Sequence, residues 1–177
     1  MVIWVTGLSG AGKTTVCRLL YERLKPAVPE LVLLDGDAIR ASLSSDLGFD
    51  EADRVRQITR VQRLAKLLSD QHLIVLVAVV YANPDLLAWN RTHNPLYIEV
   101  LMDTPLDVVQ RRDPKGLYGK VARGETRDVV GIDIAWHPPI RPDLVIGPDR
   151  CPTPPDAAAA IARAVPRLAD AWSALHT

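Results

Sequence analysis

The chain has 177 residues, 21 basic and 21 acidic side chains and a formal net charge of zero. That length suggests one domain, large enough to bury a core without disulfide or metal staples, and the balanced charge argues against a nonspecific partner of nucleic-acid polymers. The longest apolar run, Leu73–Val80, is eight residues where a membrane span needs about 20, and the start at Val2–Val5 is too short for a signal-peptide core, so no membrane partner and a cytoplasmic location are expected.

Val2–Thr6 is a β-branched apolar run and reads as a buried strand. A glycine-rich turn, Gly7–Gly12, separates it from a helix over Lys13–Lys25 with Val16, Leu19, Leu20 and Leu24 on one face, stopped by Pro26 and Pro29. Leu31–Leu34 is a second buried strand. It ends at Asp35-Gly36-Asp37, where Asp37 is placed to cap a short helix through Leu43. Asp50-Glu51 opens a longer helix with Val55, Ile58, Val61, Leu64, Ala65 and Leu68 in one stripe. Leu73–Val79 is the third strand, Leu86–Thr92 a helix of two turns and Leu96–Met102 the fourth strand. Pro105 then opens a helix to about Arg112. No clean period appears from Asp113 to Gly131; the glycines and charges there predict a mobile lid over about 113–131.

Seven of the 14 prolines fall between Pro138 and Pro155, an extended stretch that holds a fifth strand, Leu144–Ile146. Asp156–Leu175 is alanine-rich and helical with a break at Pro166. Cys17 and Cys151 are too few for a disulfide framework and read as incidental thiols. Trp4, Trp89, Trp136 and Trp172 read as packing residues, and His72, His93, His137 and His176 as scattered surface residues. Strands alternating with helices predict one α/β domain over residues 1–177, with a central parallel sheet of about five strands and helices on both faces. Such sheets bind ligands beyond the carboxyl ends of their strands.

The segment Gly7-Leu8-Ser9-Gly10-Ala11-Gly12-Lys13-Thr14 fits G-x-x-x-x-G-K-S/T between a strand and a helix. Its backbone amides and the helix end suit phosphate oxygens. Lys13 is expected at the β- and γ-phosphates and Thr14 on Mg²⁺, which predicts ATP or GTP and a P-loop NTPase fold. The Asn-Lys-x-Asp tetrapeptide of a guanine-specific GTPase is absent from the sequence, and the small size disfavours a motor. Asp35 and Asp37 are two carboxylates suited to Mg²⁺ binding and to deprotonation of an acceptor hydroxyl. Which of them is the base stays open, and a helix cap is the plain alternative for Asp37. Arg111, Arg112, Lys115, Lys120, Arg123 and Arg127 give the 113–131 region and its hinge a local positive excess, suited to closing over phosphates and excluding water. Arg40 and Arg54 flank Phe49, the chain's one Phe, an arrangement that suits base stacking plus anion contacts. Core packing is the alternative for Phe49.

Taken together, these segments resemble the adenylylsulfate (APS) kinase family from about Ile3 to Ile146. The resemblance rests on the Gly7–Thr15 loop, Leu34-Asp-Gly-Asp37 with Arg40, Asp46-Leu-Gly-Phe49 with Ala52-Asp-Arg54, Ile98–Pro105, Arg112-Asp-Pro-Lys-Gly-Leu-Tyr118 and Gly131-Ile-Asp133. It implies a homodimeric kinase of sulfate assimilation that phosphorylates the 3′-hydroxyl of adenylylsulfate with Mg²⁺ and ATP. It implies ATP contacts from Gly7 to Thr15 and from Arg112, catalysis by Lys13, Asp35 and Asp37, and a metal held by Thr14 and Asp35. Asp37, Arg40, Phe49, Arg54, Gln57, Val80, Tyr81, Lys115, Gly116, Leu117 and Lys120 are the implied acceptor residues.

The departures from the family pattern gather on the acceptor side. Tyr81-Ala-Asn-Pro84 stands where the family has Ser-Pro and a following Arg; Gln57 stands for Asn and Thr59 for Arg. Asp128-Val-Val130 replaces Asn-Phe-Thr before Gly131, which removes one face of the adenine sandwich. A different nucleotide-linked acceptor, such as cytidine diphosphoramidate, is therefore an alternative. A nucleotide-binding module without transferase activity is the alternative of another class, and intact Lys13, Thr14, Asp35 and Asp37 speak against it.

Overall fold

The computed structural model describes residues 1–175; the expectation for His176 lies outside them. The sheet has five strands: β1 Val2–Thr6, β2 Leu31–Asp35, β3 Ile74–Val79, β4 Tyr97–Met102 and β5 Leu144–Ile146. Their order is β2-β3-β1-β4-β5 and every pairing is parallel. β1 and β3 are buried at every position, because both faces of the sheet are covered. On one face α1 (Lys13–Leu24) packs with α7 (Pro154–Arg163) and α8 (Pro166–Ala174). On another layer α3 (Glu51–Asp70) packs with α4 (Pro84–His93) against β3 and β1. Trp4 and Trp172 are core residues as expected, and Cys17 is buried. Trp89 and Trp136 are half-buried.

β3 runs between β1 and β2 in the sheet. The end of β2 still meets the phosphate loop, through the first turn of α1, where Thr14 Oγ1 donates to Asp35 Oδ2 at 2.7 Å. One expectation is corrected, the cap of α2 (Gly36–Leu43). Asp35, not Asp37, is its N-cap: Asp35 is extended and accepts from the N–H groups of Asp37 and Ala38. Asp37 sits in the first helical turn, and its carboxylate takes no part in the cap.

The boundaries elsewhere move by a residue or two, with larger changes at two places. Asn83 caps α4 and Pro84 opens it, so that helix has ten residues rather than two turns. The last helix breaks at Pro166 as expected, which starts the second of its two parts. The segment from Asp113 to Gly131 contains a helix, α6 (Leu117–Ala122), that follows α5 (Leu106–Arg112). Its six residues are too few to show a 3.6-residue period in sequence. Of the described residues, no helix is long and apolar enough to cross a membrane.

Candidate active site

The carboxyl ends of β1, β2 and β3 open onto one cavity of about 560 Å³, a size suited to small ligands. The phosphate loop forms its first wall. Gly7 starts the loop against β4, where a Cβ would come 2.7 Å from the Met102 carbonyl oxygen, so no larger residue fits. Lys13 folds back over the loop and donates from Nζ to the Gly7 and Leu8 carbonyls, both at 2.8 Å. It is 7% exposed. Burial, and then the neighbouring Lys115 ammonium, lower its pKa to about 8, while Asp37 and Asp35 push the other way. Phosphate oxygens entering the loop would restore the charged form.

The second wall is the β2–α2 corner. Asp35 Oδ1 caps α2 and Oδ2 accepts the Thr14 hydroxyl. A hydroxyl and a carboxylate oxygen thus converge at the loop, a hard-oxygen pair suited to Mg²⁺ that is otherwise held by phosphates and water. Asp37 is exposed, and its Oδ2 accepts from Lys115 Nζ of the lid.

The third wall comes from α3 and the segment before it. Phe49 is 57% exposed, which excludes core packing. The Arg40 and Arg54 guanidinium carbons lie 4.7 and 5.8 Å from its ring centroid. Burial lowers both arginine pKa values, and for Arg54 the charge of Arg40 adds to this. Two crowded, partly buried cations favour an anion beside them. Gln57 is 4% exposed, and its Nε2 donates to the Gly36 carbonyl at 3.4 Å. Tyr81, at the end of β3, is buried and donates its hydroxyl to Glu51 at 2.9 Å. The 113–131 segment lines the remaining side of the cavity, and its Tyr118 hydroxyl donates to the Ser9 carbonyl at 3.0 Å.

The cavity brings together Ser9, Gly10, Gly12 and Lys13–Thr15 from the loop, Asp35, Asp37 and Arg40 from the corner, and Phe49, Arg54 and Gln57 from the α3 wall. Val80, Tyr81, Lys115, Leu117 and Lys120 complete it. Gly7, Leu8 and Ala11 shape the loop without lining the cavity, and Gly116 caps α6 from outside it. Arg112 ends α5, exposed and outside the lining. Sequence reasoning missed Ala78 and Val79, which line the floor because β3 lies between β1 and β2, and Thr126; Arg127, one of the basic residues of the 113–131 segment, lines the cavity too. Val129 and Val130 also line it; the unusual Asp128-Val-Val130 was their signal.

The sequence profile of adenylylsulphate kinase matches residues 1–147. The chain belongs to the adenylylsulphate kinase family. It is 47% identical over 145 residues to the adenylyl-sulfate kinase of Vibrio cholerae serotype O1, covering 81% of this chain and 67% of that protein. It is 44% identical over 146 residues to the adenylyl-sulfate kinase of Aeromonas hydrophila, covering 81% and 74%. The fold matches the Mycobacterium tuberculosis APS kinase, solved in complex with AMPPNP and APS, with a TM-score of 0.82 and 36% identity over 94% of this chain and 96% of that one. The five-stranded sheet is thus the adenylylsulphate kinase fold, and the family's ATP-dependent phosphotransferase chemistry fits a site whose phosphate loop is complete.

Proposed function

We propose that the chain transfers the γ-phosphate of ATP to the 3′-hydroxyl of adenylylsulfate. The observation that carries this reading is the continuity of one cavity from Lys13, at the phosphate loop, past Asp37 to Phe49, Arg40 and Arg54. Lys13 and the loop amides bind the donor phosphates. Thr14 and Asp35 would hold Mg²⁺, which supplies charge neutralisation at the β- and γ-phosphates when bound. Asp37 takes the proton from the acceptor hydroxyl. The engagement of both Asp35 oxygens, one on Thr14 and one on the α2 amides, supports this division of labour. Phe49 stacks on the acceptor's base, and Arg40 and Arg54 face its anionic groups. Lys115 and Lys120 close from the lid, which keeps water from competing as acceptor.

Val129 favours a second reading, a nucleotide acceptor with a base smaller than adenine such as cytidine diphosphoramidate. ADP release with Mg-ATP and a panel of acceptors tests both. Adenylylsulfate is expected to stimulate turnover above every other acceptor. Faster turnover with a pyrimidine acceptor supports the second reading, and no acceptor-stimulated turnover overturns both. The implied homodimer is checked by light scattering on the eluting protein.

A further inference from the structure

The lid ends in a turn that is tied from several sides. Asp128 has a φ of 63°, in the left-handed region where side-chain-bearing residues are uncommon. Such backbone persists where its surroundings over-determine it. The surroundings here are specific. The Asp128 N–H donates to Asp133 Oδ2 at 2.7 Å, and the Val129 N–H donates to Asp133 Oδ1. The Val129 carbonyl accepts from the N–H groups of Ile132, Asp133 and Ile134 at 3.0, 3.2 and 3.2 Å. The Asp128 carbonyl accepts from Arg54 Nη2 at 2.6 Å.

The turn is indexed to both ends of the cavity. Arg54 Nε also donates to the Phe49 carbonyl at 2.9 Å. One guanidinium therefore sets how far the backbone carrying Phe49 lies from the backbone carrying Val129. On the other flank, Gly131 has a φ of 91°, and a Cβ there would come 2.9 Å from Leu8 Cδ2 of the phosphate loop. Asp128, Val129 and Val130 line the cavity, and the two valines are buried. Asp133 is exposed and does not line it. Its carboxylate touches backbone amides rather than any substrate position, and the two amides it holds are those of the left-handed Asp128 and of Val129 beside it.

We propose that Asp133 is a positioning residue that sets the acceptor end of the cavity, by clamping the Asp128 turn and so fixing Val129 in the wall of the cavity that Phe49 also lines. This rests on the kinase reading above. Without the clamp the left-handed turn relaxes, the wall loosens, and acceptor binding weakens while the phosphate loop is untouched. The carboxylate donates nothing and accepts two amides, so Asn, with one good acceptor oxygen, replaces it in part.

The test uses the full chain with Asp133→Ala and Asp133→Asn. Wild-type turnover with adenylylsulfate comes first; its absence overturns the kinase reading and leaves the clamp to be judged by hydrogen exchange. In Asp133→Ala, the Asp128 and Val129 amides are expected to exchange about tenfold faster or more. KM for adenylylsulfate is expected to rise about tenfold, with KM for ATP and kcat within about threefold and the melting temperature little changed. Asp133→Asn is expected to recover part of both losses. Unchanged amide protection overturns the clamp. Lost protection with an unchanged acceptor KM overturns its role in setting the acceptor end. A parallel loss of ATP affinity and melting temperature marks a general structural role and overturns the proposal.

Discussion

At the donor end, Lys13 is 7% exposed, and its ammonium is bonded to carbonyls five and six residues back in its own loop. At the proposed acceptor end, Phe49 is 57% exposed, and the arginine beside it reaches a carbonyl 74 residues further along the chain. One end is built from contiguous sequence and closed on itself. The other is assembled from α2, α3, the end of β3 and the 113–131 segment, with Arg40 and Arg54 bonded to carbonyls outside their own helices. The contrast has a physical origin: a phosphate group is the same in every nucleotide, so a short loop of amides serves it, whereas an acceptor's base, sugar and anion demand groups converging from several directions. Changes at the donor end should therefore damage chemistry with any acceptor, and changes at the acceptor end should alter which acceptor is used.

The largest effect tests where chemistry resides. Asp37→Ala is expected to lower kcat about 10²- to 10⁴-fold, the range of a positioned general base, with ATP affinity nearly intact by calorimetry. A near-normal kcat moves the base elsewhere. Lys13→Ala comes next, with an expected loss of about 10²–10³ in kcat for every acceptor that supports turnover. If the loss differs widely between acceptors, the two ends are not separable as drawn. Phe49→Ala should cost about 1–3 kcal/mol of base stacking, roughly a five- to 150-fold rise in acceptor KM, with KM for ATP held within about twofold. Equal loss at both substrates would break the division.

The smallest effect is on a residue of the donor helix that has no catalytic part. Burial raises the Cys17 pKa from 9.0 to about 12, and the thiol is buried in α1. Because the folded state holds this proton more tightly than the unfolded chain does, its contribution to stability is complete below about pH 9 and declines as pH rises toward about 12. At pH 8.5 (just below the unfolded value), alkylation of the native protein is expected to label Cys151 and spare Cys17, with Cys17 labelled only in denaturant. Labelling of native Cys17 would mean that the donor end opens locally.

Strands and the donor loop were legible because their signals are local. The β-branched run at Val2–Thr6 and the glycine pattern up to Lys13 need no information from elsewhere in the chain. The β2–α2 corner was legible in composition but not in role. Asp35 and Asp37 are equivalent on paper, and only the extended backbone at Asp35 hands it the capping amides and leaves Asp37 facing Lys115. α6 was invisible because six residues carry no period. Ala78 and Val79 carry no motif at all; they face the cavity because β3 is inserted between β1 and β2.

The sequence by itself determined the phosphate loop, the α/β class, the family pattern and the charged and aromatic residues available for an acceptor. Each of these depends on neighbours within a turn or a strand. Tertiary structure alone decided that Arg54 brackets Phe49 and Asp128, that Asp133 holds Val129 from outside the cavity, and that, within a chain of zero net charge, two guanidiniums gather at Phe49 while the Asp35 carboxylate meets Thr14 at the loop. Those relations depend on strand order and on contacts between segments far apart in the chain, which no local pattern encodes.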